Sequence, residues 1–91
     1  MVITMTGVPR FDPIAGEPAY VYVRIADHIA ARIKADELPP GSRLPGERDL
    51  AAEYGVALGT ARRAIVELRS RGLAVTLPAK GTFVVKGGPA D

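Results

Sequence analysis

Apolar residues recur at helical spacing in the first patterned stretch of the chain, from about Tyr20 to Ala35. Spacings of three and four residues place its apolar side chains on one helical face, with two alanines beside them: Tyr22, Ile25, Ile29, Ile33, Ala26 and Ala30. The residues Leu38 to Gly41 (LPPG) follow, and proline cannot continue a helix. The pattern therefore predicts one amphipathic helix that ends before these prolines.

Two further helices are predicted on either side of a glycine. The second begins at Glu47 after a Gly46 N-cap and ends at Tyr54, where Gly55 is free to adopt the left-handed conformation. The third follows Val56 and runs to Arg71. Its buried stripe consists of residues at helical spacing: Ala61, Ala64, Ile65 and Leu68.

Near the end of the chain, two strand-like segments flank a turn, as in a β-hairpin. Residues 74–77 (AVTL) and 82–85 (TFVV) are typical of strands, and residues 78–81 (PAKG) are typical of a turn. Residues 42–44 (SRL) are long enough for only a brief strand. The predicted fold is mainly α with a small β-hairpin: a winged helix-turn-helix of three helices and a wing.

Length and composition indicate one soluble domain. The 91 residues are 47% hydrophobic and contain no cysteine, which excludes disulfides and thiolate metal sites. We divide the chain into a flexible arm (residues 1–18), the winged helix (19–86) and a tail (87–91). No stretch approaches the roughly 20 apolar residues that span a bilayer, and residues 1–8 lack the basic leader of a signal peptide. We therefore expect a cytoplasmic protein without a membrane partner.

Charge is unevenly distributed along the chain. Residues 1–56 carry six basic and eight acidic side chains, a net −2, whereas residues 57–91 carry six basic and two acidic ones, a net +4. A basic part on an otherwise acidic domain is expected of a polyanion-binding face, although a solvated charged helix explains the charge equally well.

The short helix, glycine turn and longer basic helix decide between those two explanations. Such a unit docks its second helix in the DNA major groove, with the amino-terminal residues of that helix nearest the bases. The leading edge of the third helix, from Gly59 to Arg63, includes Thr60 and Arg62. We predict that this edge contacts double-stranded DNA.

The motifs resemble those of the GntR family of transcriptional regulators, especially its HutC-like and YtrA-like branches. Residues 38–51 (LPPGSRLPGERDLA) are similar to the family's proline-glycine turn and "RLPSERELA" signature, and residues 54–56 (YGV) with 60–64 (TARRA) to its "YGVSRxTVRxAL". Further residues match the family at the start and the end of its pattern: Tyr22, Ile25, Ala26, Leu68, Gly72, Leu73 and residues 80–84 (KGTFV).

This resemblance implies DNA contacts at the positions that match. Arg48 matches an arginine of the second helix that reaches DNA, and Thr60 and Arg62 match contact positions of the recognition helix. Lys80 and Gly81 match the wing tip, which in the family approaches the minor groove, where glycine lets the backbone come close.

Three positions depart from the family pattern: Gly46, Ala57 and Leu58 replace a serine cap, a serine or threonine, and a base-reading arginine. The Gly46 cap weakens the second helix by only a few tenths of a kcal/mol. Leucine cannot form a bidentate bond to guanine. We therefore expect an altered operator preference, with Arg62 and Arg63 carrying more of the direct readout.

The resemblance also implies a repressor that binds a palindromic operator as two copies, as a homodimer on DNA. GntR regulators usually carry a further effector-binding domain. This chain ends just after the wing, as an excised domain or a naturally short member, so we expect no small-molecule effector pocket and no cofactor in it. The alternative is a winged-helix protein-interaction module, which more often exposes an apolar patch. An enzyme is disfavoured because no nucleophile–base pair is evident.

Other candidate residues have simpler explanations. His28, the only histidine, lacks the partners of a metal site and is predicted to lie on the surface. Helix capping accounts for Glu47 and Asp49, so these residues and Glu53 are not interpreted as a metal cluster. Tyr54 and Phe83 are interpreted as core packing rather than as base-stacking residues.

Overall fold

The computed structural model describes Phe11 and residues 20–85, and the order of its elements is that of a helix-turn-helix followed by a hairpin. The elements are α1 (Val21–Lys34), α2 (Glu47–Tyr54), α3 (Leu58–Ser70), β1 (Ala74–Leu77) and β2 (Gly81–Val84). The predicted fold class is confirmed. Except for Phe11, the predicted arm and the tail of residues 87–91 lie outside the described residues.

Helix α1 has the amphipathic face that its spacing predicts. Ile25, Ala26 and Ile29 are completely buried, and Tyr22 and Ile33 pack partly buried against the same core. The helix ends at Lys34 because the chain turns at Asp36, whose φ is +65°. No helix among residues 20–85 is both long and apolar enough to cross a membrane.

Helices α2 and α3 meet across the tight turn at Gly55. Gly55 has φ 68° and ψ 38°, a left-handed conformation in which glycine has no side chain to strain. Helix α3 contacts α1, α2 and β1. Its completely buried side chains include Ala61, Ala64 and Leu68. The predicted stripe is confirmed, and its burial leaves the opposite face of α3 exposed.

The hairpin pairs Ala74 with Val84 and Leu77 with Gly81, so β2 begins one residue earlier than predicted. Residues 42–44 do not form the predicted brief strand but an isolated bridge between Arg43 and Phe83: the Leu44 amide donates to the Thr82 carbonyl over 2.8 Å, and the Val84 amide donates to the Ser42 carbonyl over 2.8 Å. The chain before α2 is thereby fixed to the base of the wing.

Two expectations about side-chain burial are wrong. Phe83 is only half-buried, because strand alternation turns Val84 rather than Phe83 toward the core. His28 is also half-buried: its Nδ1 lies 2.9 Å from the Tyr54 hydroxyl, and its ring packs edge-on against Tyr54 and Phe11. Tyr54 itself is in the core, as predicted, with 3% of its surface exposed.

Candidate nucleic-acid interface

The leading edge of α3 faces outward. Leu58, Gly59, Arg62 and Arg63 are exposed, and Thr60 is half-buried. A Cβ atom added at Gly59 meets nothing within 4 Å, so the space in front of this position is open. The edge that the sequence predicts to enter the groove is therefore accessible to a large partner.

The N-cap of α3 leaves backbone donors for an outside acceptor. Ala57 adopts an extended conformation and makes no side-chain hydrogen bond, because alanine has no acceptor atom. Gly46 caps α2 in the same way. Without a capping oxygen, the first amides of each helix remain available to an anion such as a phosphate.

Arg62 is held on the α2 side of the edge by Glu47. The Arg62 Nε donates to Glu47 Oε1 over 3.1 Å, and Nη2 lies 3.1 Å from the same oxygen. This hydrogen bond and the charge of Glu47 raise the pKa of Arg62 above its ordinary value. Glu47, in the first turn of α2, thus aims a predicted contact residue of α3.

Arg63 is directed to the other side of α3, toward α1. Its guanidinium carbon lies 4.2 Å from the centre of the Tyr22 ring, within the range of a cation–π contact. The sequence motif contains Tyr22 but does not show that it supports Arg63. Arg62 and Arg63 are therefore each oriented by a neighbouring helix, on opposite sides of the same exposed edge.

The wing places its two predicted residues beside a third that sequence reasoning missed. Lys80 is exposed in the turn, and Gly81 begins β2 with φ +122°. A Cβ atom at Gly81 would lie 2.7 Å from Nε of Arg43, a residue 38 positions earlier in the chain. Periodicity carries no signal for this contact, since it depends on how residues 42–44 pair with the wing.

Acidic side chains pair with some of the cations of residues 20–85 and not with others. Arg32 pairs with Glu37 and Glu53, Arg71 with Asp27 and Glu67, and Arg62 with Glu47. None of those pairs involves Lys34 at the end of α1, or the cations of residues 42–44, the first turn of α2, the body of α3 and the wing: Arg43, Arg48, Arg63, Arg69 and Lys80. The positive charge around the exposed edge is thus left for a partner.

The acidic residues that might have formed a metal cluster are dispersed among other contacts. Glu47 binds Arg62 and Glu53 binds Arg32. Across the described part of the chain, no group of three or more His, Cys, Asp or Glu side chains could hold a metal ion.

Tyr54 ends α2 with a hydroxyl that is buried but bonded. Arg32 Nη1 donates to this oxygen over 3.2 Å, and His28 Nδ1 lies 2.9 Å away on its other side. Burial raises the pKa of the phenol, and the hydrogen bond from Arg32 opposes this effect only in part. The phenol therefore stays protonated in the folded domain at pH values where it ionises in the unfolded chain.

This raised pKa predicts a loss of stability in alkali. A folded-state pKa above the unfolded value of about 10 gives a contribution that is complete below pH 10 and is lost as the pH rises above it. We expect the unfolding midpoint of Tyr54→Phe to fall less between pH 9 and 11.5 than that of the wild type, although the variant is less stable at pH 7. Equal alkaline losses in urea titrations of both proteins would contradict this assignment.

The model of the GntR family of bacterial regulatory proteins matches residues 21–84, which include every described element. The chain belongs to the GntR family. As a member, it is a DNA-binding regulatory domain with a winged helix-turn-helix fold. The family and the curated relatives of this chain are transcription regulators.

Among curated proteins, this GntR domain is similar to an HTH-type transcriptional regulator of Mycobacterium tuberculosis, with 40% identity over 90% of this chain and 66% of that protein. It is also similar to the histidine utilization repressor of Pseudomonas aeruginosa, with 38% identity over 86% of this chain and 31% of the repressor. The chain thus spans less than two thirds of the length of either relative.

Among solved structures, this GntR domain is similar to the AraR DNA-binding domain in complex with operator ORX1, with a TM-score of 0.66 and 33% identity. The match covers 70% of this chain and 77% of that one. The likeness supports the winged-helix fold independently of the family motifs.

Proposed function

We propose that this GntR domain binds operator DNA with the leading edge of α3 in the major groove and the wing near the minor groove. The observation that carries the proposal is the exposure of that edge, with Arg62 and Arg63 at its surface and cations without an acidic partner around it. In the same assignment Arg48 contacts the DNA backbone from the first turn of α2, where it is exposed. Gly59 and Thr60 approach the base edges, and Lys80 and Gly81 form the wing contact.

Sequence readout belongs to the two arginines on the flanks of α3. Arg62 contacts Glu47 of α2, and Arg63 contacts Tyr22 of α1. Leu58, 38% exposed at the first turn of α3, offers an apolar surface suited to a thymine methyl group. This combination supports an operator preference different from that of members with an arginine at this position.

Repression is the regulatory outcome that we propose, because one of the similar curated proteins is named a repressor. One small domain buries too little surface for tight specific binding, so we propose two copies on a palindromic operator. We propose double-stranded DNA as the partner and the cytoplasm as the location. In this proposal the domain uses no cofactor, has no effector pocket and is not an enzyme.

A salt titration tests the DNA assignment. A duplex selected by the domain from a randomised pool is compared with a random duplex, and affinity is expected to fall with a log–log slope of about −0.9 per neutralised phosphate. Arg48→Ala is expected to weaken binding to both duplexes roughly equally. Arg62→Ala and Arg63→Ala are expected to reduce mainly the preference between the duplexes, by about 1–3 kcal/mol for each lost bidentate contact.

Fluorescence anisotropy with labelled duplexes measures all four proteins. Wild-type protein that ignores DNA in dilute buffer would refute the assignment and leave a protein-interaction module as the better interpretation. If Arg63→Ala binds with unchanged discrimination, its part in readout is refuted while the rest of the assignment stands.

A further inference from the structure

We propose that Arg43 is an additional phosphate-binding residue. We also propose that Gly81, at the wing tip, seats Arg43, which means that its missing side chain leaves the space that the Arg43 guanidinium occupies. The proposal rests on the proposed function, because it adds a backbone contact to the same DNA complex. It also gives Gly81 a second role: besides allowing close approach of the wing backbone to DNA, the missing side chain leaves room for a guanidinium group.

The geometry at Gly81 shows how tightly the two residues fit. The Cβ of any other residue there would lie 2.7 Å from Nε and 3.4 Å from both Cζ and Nη2 of Arg43. Contacts below 3.0 Å require something to shift, and the flexible guanidinium is the part that can move. A side chain at position 81 would therefore displace the charged end of Arg43.

The backbone of Arg43 is fixed, whereas its charge is not neutralised. Arg43 forms an antiparallel bridge with Phe83, and the neighbouring amide of Leu44 donates to Thr82. Its side chain is exposed, and no ion pair of the described residues includes it. Arg43 thus has a defined position and an unsatisfied charge, a combination suited to a bound anion.

Arg43 also borders a groove between the wing and α3 that matches a phosphate chemically. The groove is lined on the wing side by Thr76 and Thr82, whose hydroxyls lie 2.9 Å apart, and on the helix side by Arg69. Its one acidic residue, Glu47, is already bound to Arg62. Two guanidinium groups, with the one threonine hydroxyl whose proton is not used in the Thr76–Thr82 hydrogen bond, can donate to the oxygens of a phosphodiester, and arginine suits this geometry better than lysine.

The first test removes the charge. Arg43→Ala is expected to weaken binding to the selected and the random duplex equally, roughly 3- to 10-fold, and to reduce the steepness of the salt dependence by about 0.9 per bound copy. Arg43→Lys is expected to keep most of the slope. Lys34→Ala removes an exposed cation at the end of α1 and should leave affinity and slope unchanged.

The second test is a double-mutant cycle that pairs Arg43→Ala with Gly81→Ala. If the missing side chain of Gly81 leaves room for Arg43, Gly81→Ala weakens DNA binding by a larger factor in the wild type than in Arg43→Ala, where only the loss of close wing approach remains. In the unfolding midpoint, Gly81→Ala is expected to cost about the same with and without Arg43, because the backbone strain at φ +122° is common to both backgrounds and the guanidinium can move away. Thermal unfolding therefore measures the backbone strain at position 81, and the DNA-binding cycle measures the effect on Arg43.

The outcomes separate this inference from the DNA assignment itself. If wild type and Arg48→Ala behave as proposed but Arg43→Ala keeps the full slope, Arg43 does not bind a phosphate. A loss confined to the selected duplex would assign Arg43 to base readout instead, and additive effects in the DNA-binding cycle would refute the role of Gly81 in placing Arg43. Wild type without DNA affinity would overturn both proposals together.

Discussion

Gly59→Glu is expected to reduce DNA affinity by about 100-fold while making the domain more stable. The added side chain enters open space, since a Cβ at this position meets nothing within 4 Å. A residue other than glycine favours a helix by roughly 0.5–1 kcal/mol, and a carboxylate in the first turn adds a favourable interaction with the helix dipole. On DNA the same carboxylate faces phosphates and base edges, where a charge of the same sign costs several kcal/mol.

Lys34→Ala is the matched control, because it changes the net charge by the same single unit at the end of α1. Affinity is measured by anisotropy at low salt and stability by urea denaturation. Gly59→Glu that binds DNA as well as Lys34→Ala does would remove the leading edge of α3 from the interface. A destabilised Gly59→Glu would show that position 59 is packed rather than open.

Leu68→Ala is expected to destabilise the domain severely. Leu68 is 0% exposed and lies on the buried stripe of α3, the helix that contacts α1, α2 and β1. Truncating a fully buried leucine costs about 2–5 kcal/mol, because the remaining atoms only partly fill the cavity. Small domains have a total stability of about 5–15 kcal/mol, so the variant is expected to be close to its unfolding transition at 37 °C.

The control for this change is Val66→Ala in the same helix, where valine is 48% exposed. Its cost is expected to stay within about 0.5 kcal/mol, as is usual for surface positions. Urea titrations followed by circular dichroism compare the two variants. Similar losses for both would mean that α3 contributes less to the core than its burial indicates.

Helix bounds were the part of the fold that periodicity predicted best. The buried stripe of α3 follows directly from its spacing, and the turn at Gly55 from a residue that alone tolerates the left-handed conformation without strain. These features are local, since each depends on residues within one or two helical turns. Because of the same locality, the sequence alone predicts where the leading edge of α3 lies.

Contacts between distant segments were beyond the sequence pattern. The pairing of residues 42–44 with β2 brings Arg43 to Gly81, and no spacing in the chain encodes this approach. His28 was predicted to lie on the surface because its partners, Tyr54 and Phe11, are remote in sequence. The hydrophobicity of Phe83 suggested burial, yet strand alternation decides which face is covered.

The candidate interface combines both kinds of information. The family motifs predict that Arg48, Thr60 and Arg62 contact DNA. Only the fold shows that Arg62 is paired with Glu47 and that Arg63 packs on the Tyr22 ring. The sequence alone does not show which arginines have an acidic partner. In the folded domain, some cations form ion pairs between helices and others remain available to bind DNA. Which cations belong to which group depends on tertiary packing.

The separation of ion-paired and unpaired cations also affects the rate at which the domain associates with DNA. Acidic side chains such as Asp27 and Glu53 lie on α1 and the end of α2, whereas unpaired arginines border α3 and the wing. Arg71 and Arg32 neutralise these two acids, so the uncompensated positive charge that borders α3 and the wing attracts the phosphates of a duplex during diffusion. Collisions become oriented before contact, which raises the association rate at low ionic strength and makes that rate fall as counterions shorten the range of the field.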